Sequence, residues 1–391
     1  MKILRFIIAL ALAAGSAAAA EPFWETRFAG DRTLLLRDGV EYDFRACLAE
    51  QLRRHPAMRA EDVLKQCFQG AFGPEHILTR AEAAKQRFDA EFAAVAPRPG
   101  EALHEVISPD FLRVNLGAWK ASKMPAEWLF RMFAASARKF DDGDEVFRRC
   151  LTAAESLLDG EARQRFAALP KDAAPHHSAA YHAAEAPAYR LVSTRFLNVF
   201  PVLAALTPLP GPEKGGPRVI AIDGRAASGK TTLARQLALI LAADVVHMDD
   251  FFLPPELRTR ARYAEPGGNL HYERFMAEVL PRLRSPEPFS YRVFDCSVMR
   301  YGGSAEIRSP RWRIVEGAYS LHPKFGNYAD RKIFYDVAPE EQMRRIRQRN
   351  GERGAQIFRE RWIPLEELYI RVCDPIGRAD LILGRPPRPG K

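Results

Sequence analysis

The amino-acid sequence predicts an α/β domain, with a mostly parallel β-sheet flanked by helices, preceded by a mainly α-helical domain. In the second half, short β-branched apolar runs alternate with longer helical stretches, a pattern typical of a parallel sheet covered by helices. In the first half, apolar residues recur at three-to-four spacing between prolines. A segment dense in proline and glycine, 207–217, separates the halves and is predicted to be a linker.

The individual elements follow from the same patterns. The predicted helices of the first domain span 44–54, 60–69, 81–93, 127–139 and 145–158. The predicted strands of the second domain span 218–222, 244–247, 290–294, 312–316, 331–337 and 380–383, and its predicted helices span 230–242, 271–284, 339–350 and 359–371. The length of 391 residues suits two domains, which we place at 21–206 and 218–391.

The most specific motif is the run 224–232, which fits G-x-x-x-x-G-K-[ST]. It follows a predicted strand and opens a predicted helix, the context in which this motif forms a phosphate-binding loop. Lys230 would reach the terminal phosphates and the Thr231 hydroxyl would bind Mg²⁺. The predicted nucleotide contacts are Gly224, Arg225, Ala226, Ala227, Ser228, Gly229, Lys230, Thr231 and Thr232. The sequence therefore predicts binding of a nucleoside triphosphate, with ATP and Mg²⁺ as cofactors.

Acidic residues follow two further predicted strands. Asp249 and Asp250 come after strand 244–247, and Glu316 ends strand 312–316. Because the carboxyl ends of parallel strands meet at the ligand crevice, we expect these carboxylates beside the phosphate-binding loop. Asp249 is the candidate base for a substrate hydroxyl and a candidate Mg²⁺ ligand, and Glu316 is a second candidate ligand. The alternative for the aspartates is an exposed turn.

Seven arginines lie between 344 and 361. Among them, Arg345, Arg349 and Arg353 recur every four residues and are expected on one helix face. On a closing flap, they would neutralise the charge of the transferred phosphoryl group, and we predict a catalytic role for these three. The alternative is a solvated basic face that is paired with neighbouring glutamates.

Residues 218–383 resemble the uridine kinase, nicotinamide riboside kinase and phosphoribulokinase group of P-loop small-molecule kinases. The matching segments are 224–232, Asp249-Asp250-Phe251-Phe252, Val315-Glu316-Gly317, Ile333-Phe334-Tyr335-Asp336, the arginine run ending at Gly354, and Ala379-Asp380-Leu381-Ile382, in the order of that group. The resemblance covers a little under half of the chain and implies an α/β P-loop kinase domain. It also implies that Asp249 is the base, because Asp-Asp-Phe-Phe is similar to nicotinamide riboside kinases, whose first aspartate has that role.

The sequence departs from this group in two segments that would contact the acceptor. His271 stands where many members have an aspartate that holds a ribose diol. The segment 294–299 lacks the tyrosine and histidine with which uridine kinases bind the pyrimidine. Asp250, His271 and Asp295 are candidate substrate contacts, and a strand-end carboxylate is the alternative for Asp295. A site without base-binding groups loses discrimination, so the acceptor is left open.

Histidines are concentrated in the first domain, which resembles no family that we recognise. His76, His176, His177 and His182 could converge on a metal or a phosphorylated ligand, or they could cap helices in a polar loop. No His-x-x-x-His pair on a predicted helix supports a specific metal. The five cysteines are scattered without C-x-x-C spacing, so neither a zinc site nor a disulfide framework is indicated.

Together these patterns predict an ATP-dependent phosphotransferase, uridine kinase-like in its second half, that phosphorylates a hydroxyl of a small metabolite. The net charge of +9 indicates an anionic partner, which ATP and a phosphorylated product satisfy, so no nucleic acid is expected. The alternative is a nucleotide-dependent regulatory protein that binds ATP without a small-molecule acceptor. The chain contains no Asn-Lys-x-Asp motif for reading guanine, which disfavours a GTPase switch.

The first twenty residues have the pattern of a cleaved secretory signal. Two basic residues precede an apolar run from Phe6 to Ala14, and alanines then lead to Glu21. The apolar run is too short for a membrane-spanning helix. Export would separate the protein from cytosolic ATP, so the nucleotide chemistry favours the cytoplasm while the pattern favours secretion. An alanine-rich extension on a cytoplasmic protein is the alternative.

Overall fold

The computed structural model describes residues 24–74, 81–172, 175–209 and 216–384. The chain forms two compact units, each built from two separate stretches of sequence. The first unit contains the chain up to Lys123 and the stretch Ser136–Thr194, and the second contains Met124–Ala135 and the chain from Arg195 onward. The signal-like segment 1–20 and most of the predicted linker, 210–215, lie outside the described residues.

The described residues form fifteen α-helices and thirteen β-strands. The α-helices are α1 (Phe44–Arg54), α2 (Ala60–Phe72), α3 (Ala81–Ala94), α4 (Leu116–Ala121), α5 (Ala126–Ser136), α6 (Gly143–Leu157), α7 (Gly160–Ala168), α8 (Ala179–Glu185), α9 (Phe200–Leu206), α10 (Lys230–Leu241), α11 (Arg260–Tyr263), α12 (Tyr272–Glu278), α13 (Pro339–Ile357), α14 (Ile363–Cys373) and α15 (Pro375–Arg378). The strands are β1 (Trp24–Ala29), β2 (Arg32–Arg37), β3 (Val40–Glu41), β4 (His104–Val106), β5 (Phe111–Asn115), β6 (Tyr189–Ser193), β7 (Arg218–Gly224), β8 (Asp244–His247), β9 (Phe289–Asp295), β10 (Arg300–Ile307), β11 (Trp312–Glu316), β12 (Arg331–Tyr335) and β13 (Leu381–Leu383).

The first unit is mainly helical, as the sequence predicts. Its core lies between α1, α2, α6 and α7, where Leu48, Cys67, Cys150 and Phe166 are buried together. Helix α1 begins after Asp43, whose carboxylate accepts a hydrogen bond from the backbone N–H of Ala46 at 2.8 Å and so caps the first turn.

Two three-stranded antiparallel sheets, β1-β2-β3 and β4-β5-β6, also belong to the first unit and were not predicted. Their strands are two to six residues long, too short for a clear periodicity. The central strand β5 is buried along most of its length and includes the charged Arg113, so it lacks the alternation of a half-exposed strand. The sequence signal for these strands was therefore weak.

A parallel five-stranded sheet organises the second unit and confirms the α/β prediction. The strand order is β13-β12-β7-β11-β8, with β7 in the middle. Residues 219–222 of β7 are fully buried, as expected for a parallel strand that is covered on both faces. The observed bounds of β8 and β11 coincide with the predicted 244–247 and 312–316.

Three features of the second unit differ from the sequence expectation. The predicted strand at 290–294 belongs to an antiparallel hairpin, β9–β10, outside the parallel sheet. Strand β10 was missed because it is almost entirely exposed and contains Gly302 and Gly303, which hide any apolar pattern. The predicted helix at 339–350 continues to Ile357 across a kink at Gly351, whose φ of 68° and ψ of 179° are not helical.

Helix α5 and the segment 195–206, which includes α9, add to the second unit from the sequence region 21–206. Within this unit, the Trp128 ring of α5 packs edge-on against Trp312 of β11, with the ring centroids 6.3 Å apart. Arg131 donates a hydrogen bond to the carbonyl of Ile240 at 3.1 Å. Among the described helices, none combines the length and apolar character that a membrane span requires.

Candidate active site

The predicted phosphate-binding loop connects β7 to α10 and has the backbone that its glycines imply. Gly224 and Gly229 have φ angles of 148° and 112°, and Ala227 between them has a φ of 57°. A Cβ atom at Gly224 would lie 2.1 Å from the backbone oxygen of Tyr335. Only glycine fits at this point, because both the φ angle and the neighbouring strand exclude a side chain. Residue 224 thus fixes where β7 ends and the loop turns.

The polar groups inside the loop fit a phosphate ligand. Lys230 is largely buried, and its ammonium donates a hydrogen bond to the carbonyl of Arg225 at 2.8 Å. The Ser228 hydroxyl is buried and has no hydrogen-bond partner in the described part of the chain. An orphaned buried hydroxyl costs free energy that a phosphate oxygen would recover. Together with the N-terminus of the twelve-residue helix α10, these groups fit a triphosphate.

Acidic side chains from α14 and β12 hold the start of the loop in place. The carboxylate of Glu366, which is 5 % exposed, accepts hydrogen bonds from the Ala226 backbone N–H at 2.6 Å and from the Gln342 side chain at 2.9 Å. Arg225 is also buried and donates to Asp336 at 2.9 Å. Burial raises the pKa of Glu366, and the nearby ammonium of Lys230 opposes that rise. Sequence reasoning missed Glu366, because nothing local in α14 marks it.

A second buried carboxylate, Asp223, connects three segments beneath the loop. Its oxygens accept hydrogen bonds from the backbone N–H groups of Tyr319 and Leu321 at 3.1 and 2.9 Å, and from the Tyr369 hydroxyl at 2.6 Å. Burial raises its pKa, and the hydrogen bond from Tyr369 acts in the opposite direction. Asp223 therefore fixes the turn after β11 and helix α14 relative to β7.

Thr231 and Glu316, the predicted Mg²⁺ ligands, lie in direct contact. The Thr231 hydroxyl donates to one carboxylate oxygen of Glu316 at 3.0 Å. The other oxygen lies 2.9 Å from Nδ1 of His247, and this hydrogen bond raises the pKa of the imidazole. A hydroxyl and a carboxylate are oxygen donors of the kind that Mg²⁺ prefers. The residues present therefore fit the ion, and His247 is an addition that the sequence analysis did not anticipate.

Asp249 lies at the carboxyl end of β8, in the short 3-10 helix Met248–Phe251, and its side chain is open to solvent. The protein around it still removes enough water to raise the pKa of its carboxyl. The positive charge of Lys230 opposes this rise, and the negative charge of Glu316 adds to it. Asp249 therefore lies within electrostatic reach of both the loop lysine and the candidate Mg²⁺ ligand. It accepts no hydrogen bond from any residue in the described part of the chain.

The other three candidate substrate residues, Asp250, His271 and Asp295, differ in burial and in hydrogen bonding. Asp250 is half-buried and accepts a hydrogen bond from the Tyr291 hydroxyl at 2.8 Å. His271 directly precedes α12, and its Nδ1 is buried with no hydrogen-bond partner among the described residues. Asp295 is partly exposed and accepts hydrogen bonds from the backbone and hydroxyl of Ser297 at 2.7 and 2.6 Å. These contacts make Asp295 a cap of the β9–β10 turn.

Of the three predicted arginines, only Arg345 contacts the phosphate-binding loop. It donates hydrogen bonds to the Ser228 carbonyl at 3.1 Å and to Glu341 at 2.6 Å. Arg349 lies over the Phe358 ring, 5.7 Å from its centroid. Arg353 follows the kink at Gly351, so the helical spacing that would place all three on one face is interrupted. Among the described residues, Arg345 thus hydrogen-bonds to the loop, whereas Arg349 and Arg353 have no hydrogen bond to it.

The described histidines of the first unit form no metal-binding group. His177 lies 2.8 Å from Asp62 through Nδ1 and 2.7 Å from the Tyr189 hydroxyl through Nε2, so both ring nitrogens are in use. Within the described ranges, no group of three or more histidine, cysteine, aspartate or glutamate side chains is placed to hold a metal ion. His76 lies outside the described residues.

Comparison with known proteins finds similarity for about half of the chain. No protein-family profile matches it. A possible uridine kinase from Bacillus stearothermophilus is 20 % identical, with a TM-score of 0.37, over 48 % of this chain and 97 % of that one. A putative fructose transport system kinase from Silicibacter sp. TM1040 is 25 % identical, with a TM-score of 0.38, over 46 % and 94 %. D-glycerate 3-kinase from Cryptococcus neoformans is 14 % identical, with a TM-score of 0.32, over 45 % and 86 %.

Proposed function

We propose that the second unit transfers the γ-phosphoryl group of ATP to a hydroxyl of a small metabolite, with Asp249 as the base. The observation that carries this proposal is the position of Asp249. It is a solvent-open carboxylate at the end of a parallel strand, within electrostatic reach of Lys230 and Glu316. A protein that only senses a nucleotide has no need of such a carboxylate, whereas a kinase needs one to accept the proton of its acceptor.

The nucleotide would be held by the loop 224–232. Its backbone N–H groups, the N-terminus of α10 and Lys230 would bind the β- and γ-phosphates. Thr231 and Glu316 would hold Mg²⁺, which when bound neutralises negative charge on the β- and γ-phosphate oxygens. Arg345, which contacts the loop carbonyl of Ser228, would add positive charge close to the transferred group.

The acceptor would approach from the solvent-open side of Asp249. The oxygen of its hydroxyl attacks the γ-phosphorus, its proton passes to the Asp249 carboxylate, and the bond from the γ-phosphorus to the β–γ bridging oxygen breaks to release ADP. Cys296 lies close enough to both Asp249 and Arg258 to interact electrostatically with each of them. These side chains, together with Asp250 and His271, are the proposed acceptor contacts, and none of them requires a pyrimidine.

The direct test incubates the full chain with Mg·ATP and a panel of nucleosides, vitamins and sugar acids. We expect one class of compound to gain the mass of a single phosphate, with a matching yield of ADP. The control is Lys230→Met, which should abolish both products because the terminal phosphates lose their cation. Slow ATP hydrolysis that no compound stimulates would instead favour the nucleotide-dependent regulatory protein.

A further inference from the structure

A buried polar cluster in the first unit lies apart from the phosphate-binding loop in sequence and belongs to a different compact unit. We name it the Arg113 cluster. It consists of Asp62, Lys65 and Gln69 on α2, Arg113 on β5, and the pair His177 and Tyr189. The three α2 residues follow the spacing of one helix face. The residues of this cluster are polar or charged. None of them belongs to the hydrophobic core of the first unit, which lies between α1, α2, α6 and α7.

The negatively charged residue of this cluster, Asp62, already has hydrogen-bond donors around its carboxylate. The Asp62 carboxylate accepts hydrogen bonds from His177 at 2.8 Å, from the Ser178 backbone and hydroxyl at 3.0 and 2.5 Å, and from the Arg59 backbone at 2.9 Å. These contacts outweigh its burial and lower its pKa to about 2. Outside the cluster, Glu105 lies opposite Arg113 on the neighbouring strand β4 and pairs with His55 at 3.0 Å. Burial acts to raise the pKa of Glu105, but the hydrogen bond with His55 and the charges of His55 and Arg113 lower it. Among the described residues, Asp62 and Glu105 thus make their hydrogen bonds to groups other than Arg113, although Glu105 attracts the guanidinium electrostatically.

His177 is neutral and links Asp62 to Tyr189 through hydrogen bonds. Desolvation lowers its pKa, and the hydrogen bond with Asp62 only partly offsets that effect. The network assigns the ring proton to Nδ1, which donates to Asp62, and leaves Nε2 to accept from the Tyr189 hydroxyl. The ring also stacks on Tyr181, with the centroids 4.5 Å apart. His177 therefore brings no charge to the cluster.

The two positively charged residues of the cluster, Arg113 and Lys65, both donate their hydrogen bonds to neutral groups. Arg113 is 4 % exposed and donates to the amide oxygen of Gln69 at 2.7 and 3.1 Å, but its Nη1 has no hydrogen-bond partner among the described residues. Lys65 donates to the carbonyl of Pro175 at 3.0 Å. Burial lowers the pKa of Lys65, the charge of Arg113 lowers it further, and the charge of Asp62 opposes both. A buried cation without an ionic hydrogen-bond partner, such as Nη1 of Arg113, is costly, and an anionic ligand would remove that cost.

The guanidinium is also held rigidly. Gln69 accepts both hydrogen bonds from Arg113 through its oxygen and donates from its nitrogen to the Tyr189 hydroxyl at 2.9 Å. The Arg113 guanidinium lies 4.9 Å from the centroid of the Tyr189 ring. A donor fixed in this way loses little further freedom on binding, which favours affinity.

We infer that the first unit binds the oxyanion group of a small molecule, a carboxylate or a phosphate, between Nη1 of Arg113 and the ammonium of Lys65. The N–H donors of Nη1 and the positive charges of both side chains suit either group. This site is independent of the proposed phosphoryl transfer, since none of its residues belongs to the second unit.

The test titrates the full chain with inorganic phosphate and, separately, with succinate, by calorimetry. We expect one probe or both to bind, and Lys65→Gln and Arg113→Gln each to weaken that binding at least about tenfold. Binding of phosphate alone assigns a phosphorylated ligand, and binding of succinate alone assigns a carboxylate. Lys230→Met should keep this binding event, which separates it from phosphate bound at the loop 224–232.

The matched control is Arg149→Gln, because Arg149 is an exposed arginine of the same unit that pairs only loosely with Glu145, at 3.6 Å. It should bind both probes as the wild type does. Arg113→Gln removes a buried side chain and could unfold the unit, so the half-buried Lys65 provides the decisive variant, with its fold checked by circular dichroism. Affinity for both probes that is unchanged in Lys65→Gln, or no binding of either probe by the wild type, would overturn the inference.

Discussion

The Asp249 carboxylate has one role in the proposed reaction, to accept the acceptor's proton. We predict that Asp249→Asn lowers kcat by about 10²–10⁴-fold, the usual contribution of a general base. The Kd for ATP should change little, because the phosphate contacts belong to the loop and to α10. Product formation and nucleotide binding, measured on the same preparation, check both parts. Full turnover in Asp249→Asn would remove it from the mechanism.

Gly224 is the residue at which steric exclusion can be tested most directly. In Gly224→Ala, the new Cβ would meet the backbone oxygen of Tyr335 at 2.1 Å, and the φ of 148° would be strained. We expect a loss of at least about 2 kcal/mol in the free energy of unfolding, together with loss of ATP binding. Gly303→Ala is the matched control, because Gly303 also has a positive φ, 88°, but nothing lies within 4 Å of its Cβ position. If Gly303→Ala lowered the free energy of unfolding as much as Gly224→Ala, backbone strain alone, and not the clash with Tyr335, would explain the loss.

His177 gives the first unit a defined pH dependence. Its folded pKa is lowered by desolvation below the unfolded value of about 6.5, so the unfolded state binds the proton more readily. The stability contributed by neutral His177 is therefore present above about pH 6.5 and is lost as the pH falls through the folded pKa. His55 acts in the opposite sense, because its hydrogen bond with Glu105 raises its pKa.

The His177 effect is isolated by comparison with His177→Gln. The difference in unfolding free energy between wild type and variant should shrink as the pH is lowered below about 6.5. Denaturant unfolding at several pH values measures it. A difference that grows toward acidic pH would mean that His177 is charged in the folded state, and the hydrogen-bond assignment would be wrong.

Among the elements, α14 makes the least expected contribution to the candidate active site. Glu366→Ala would leave the Ala226 N–H and the Gln342 amide without their buried acceptor, at a cost of about 1–3 kcal/mol for each. We predict a rise in KM for ATP of at least about tenfold, with a lower melting temperature. Glu360→Ala, an exposed change in the segment before α14 that removes only a contact with Gln356, should leave KM unchanged.

These elements also mark how far the sequence could predict the site. The loop 224–232, Asp249 and Glu316 were predicted because each follows an apolar strand, and local spacing is enough to place them at the same edge of a parallel sheet. Glu366 lies 140 residues from Ala226, so only the packing of α14 against the loop brings them together. The shared face of Arg345, Arg349 and Arg353 was expected from helical spacing, and a single backbone conformation at Gly351 interrupts it.

For the whole molecule, the chain does not divide into its units at one point. Helix α5 belongs to the second unit, where the Trp128 ring packs on Trp312. A fragment beginning at Arg195 would lack α5 and expose the buried Trp312. We predict that its free energy of unfolding is about 3–5 kcal/mol lower than that of the second unit in the full chain, comparable to truncating a buried tryptophan.

Trp128→Ala in the full chain is the companion experiment for this prediction, because it removes the same packing without shortening the chain. Thermal unfolding followed by tryptophan fluorescence measures both proteins. If the fragment unfolds at the same temperature as the intact second unit, α5 contributes nothing to its stability and the assignment of α5 is incorrect.

The fate of the γ-phosphoryl group tests the proposed chemistry of the whole molecule most directly. ATP labelled with heavy oxygen in its γ-phosphate would be incubated with the wild type, Asp249→Asn and Lys230→Met in the presence of an acceptor from the panel. The proposed mechanism predicts labelled phosphate on the acceptor with the wild type and essentially none with either variant. Label found only in free phosphate, at a rate that the acceptor and Asp249 do not affect, would contradict it.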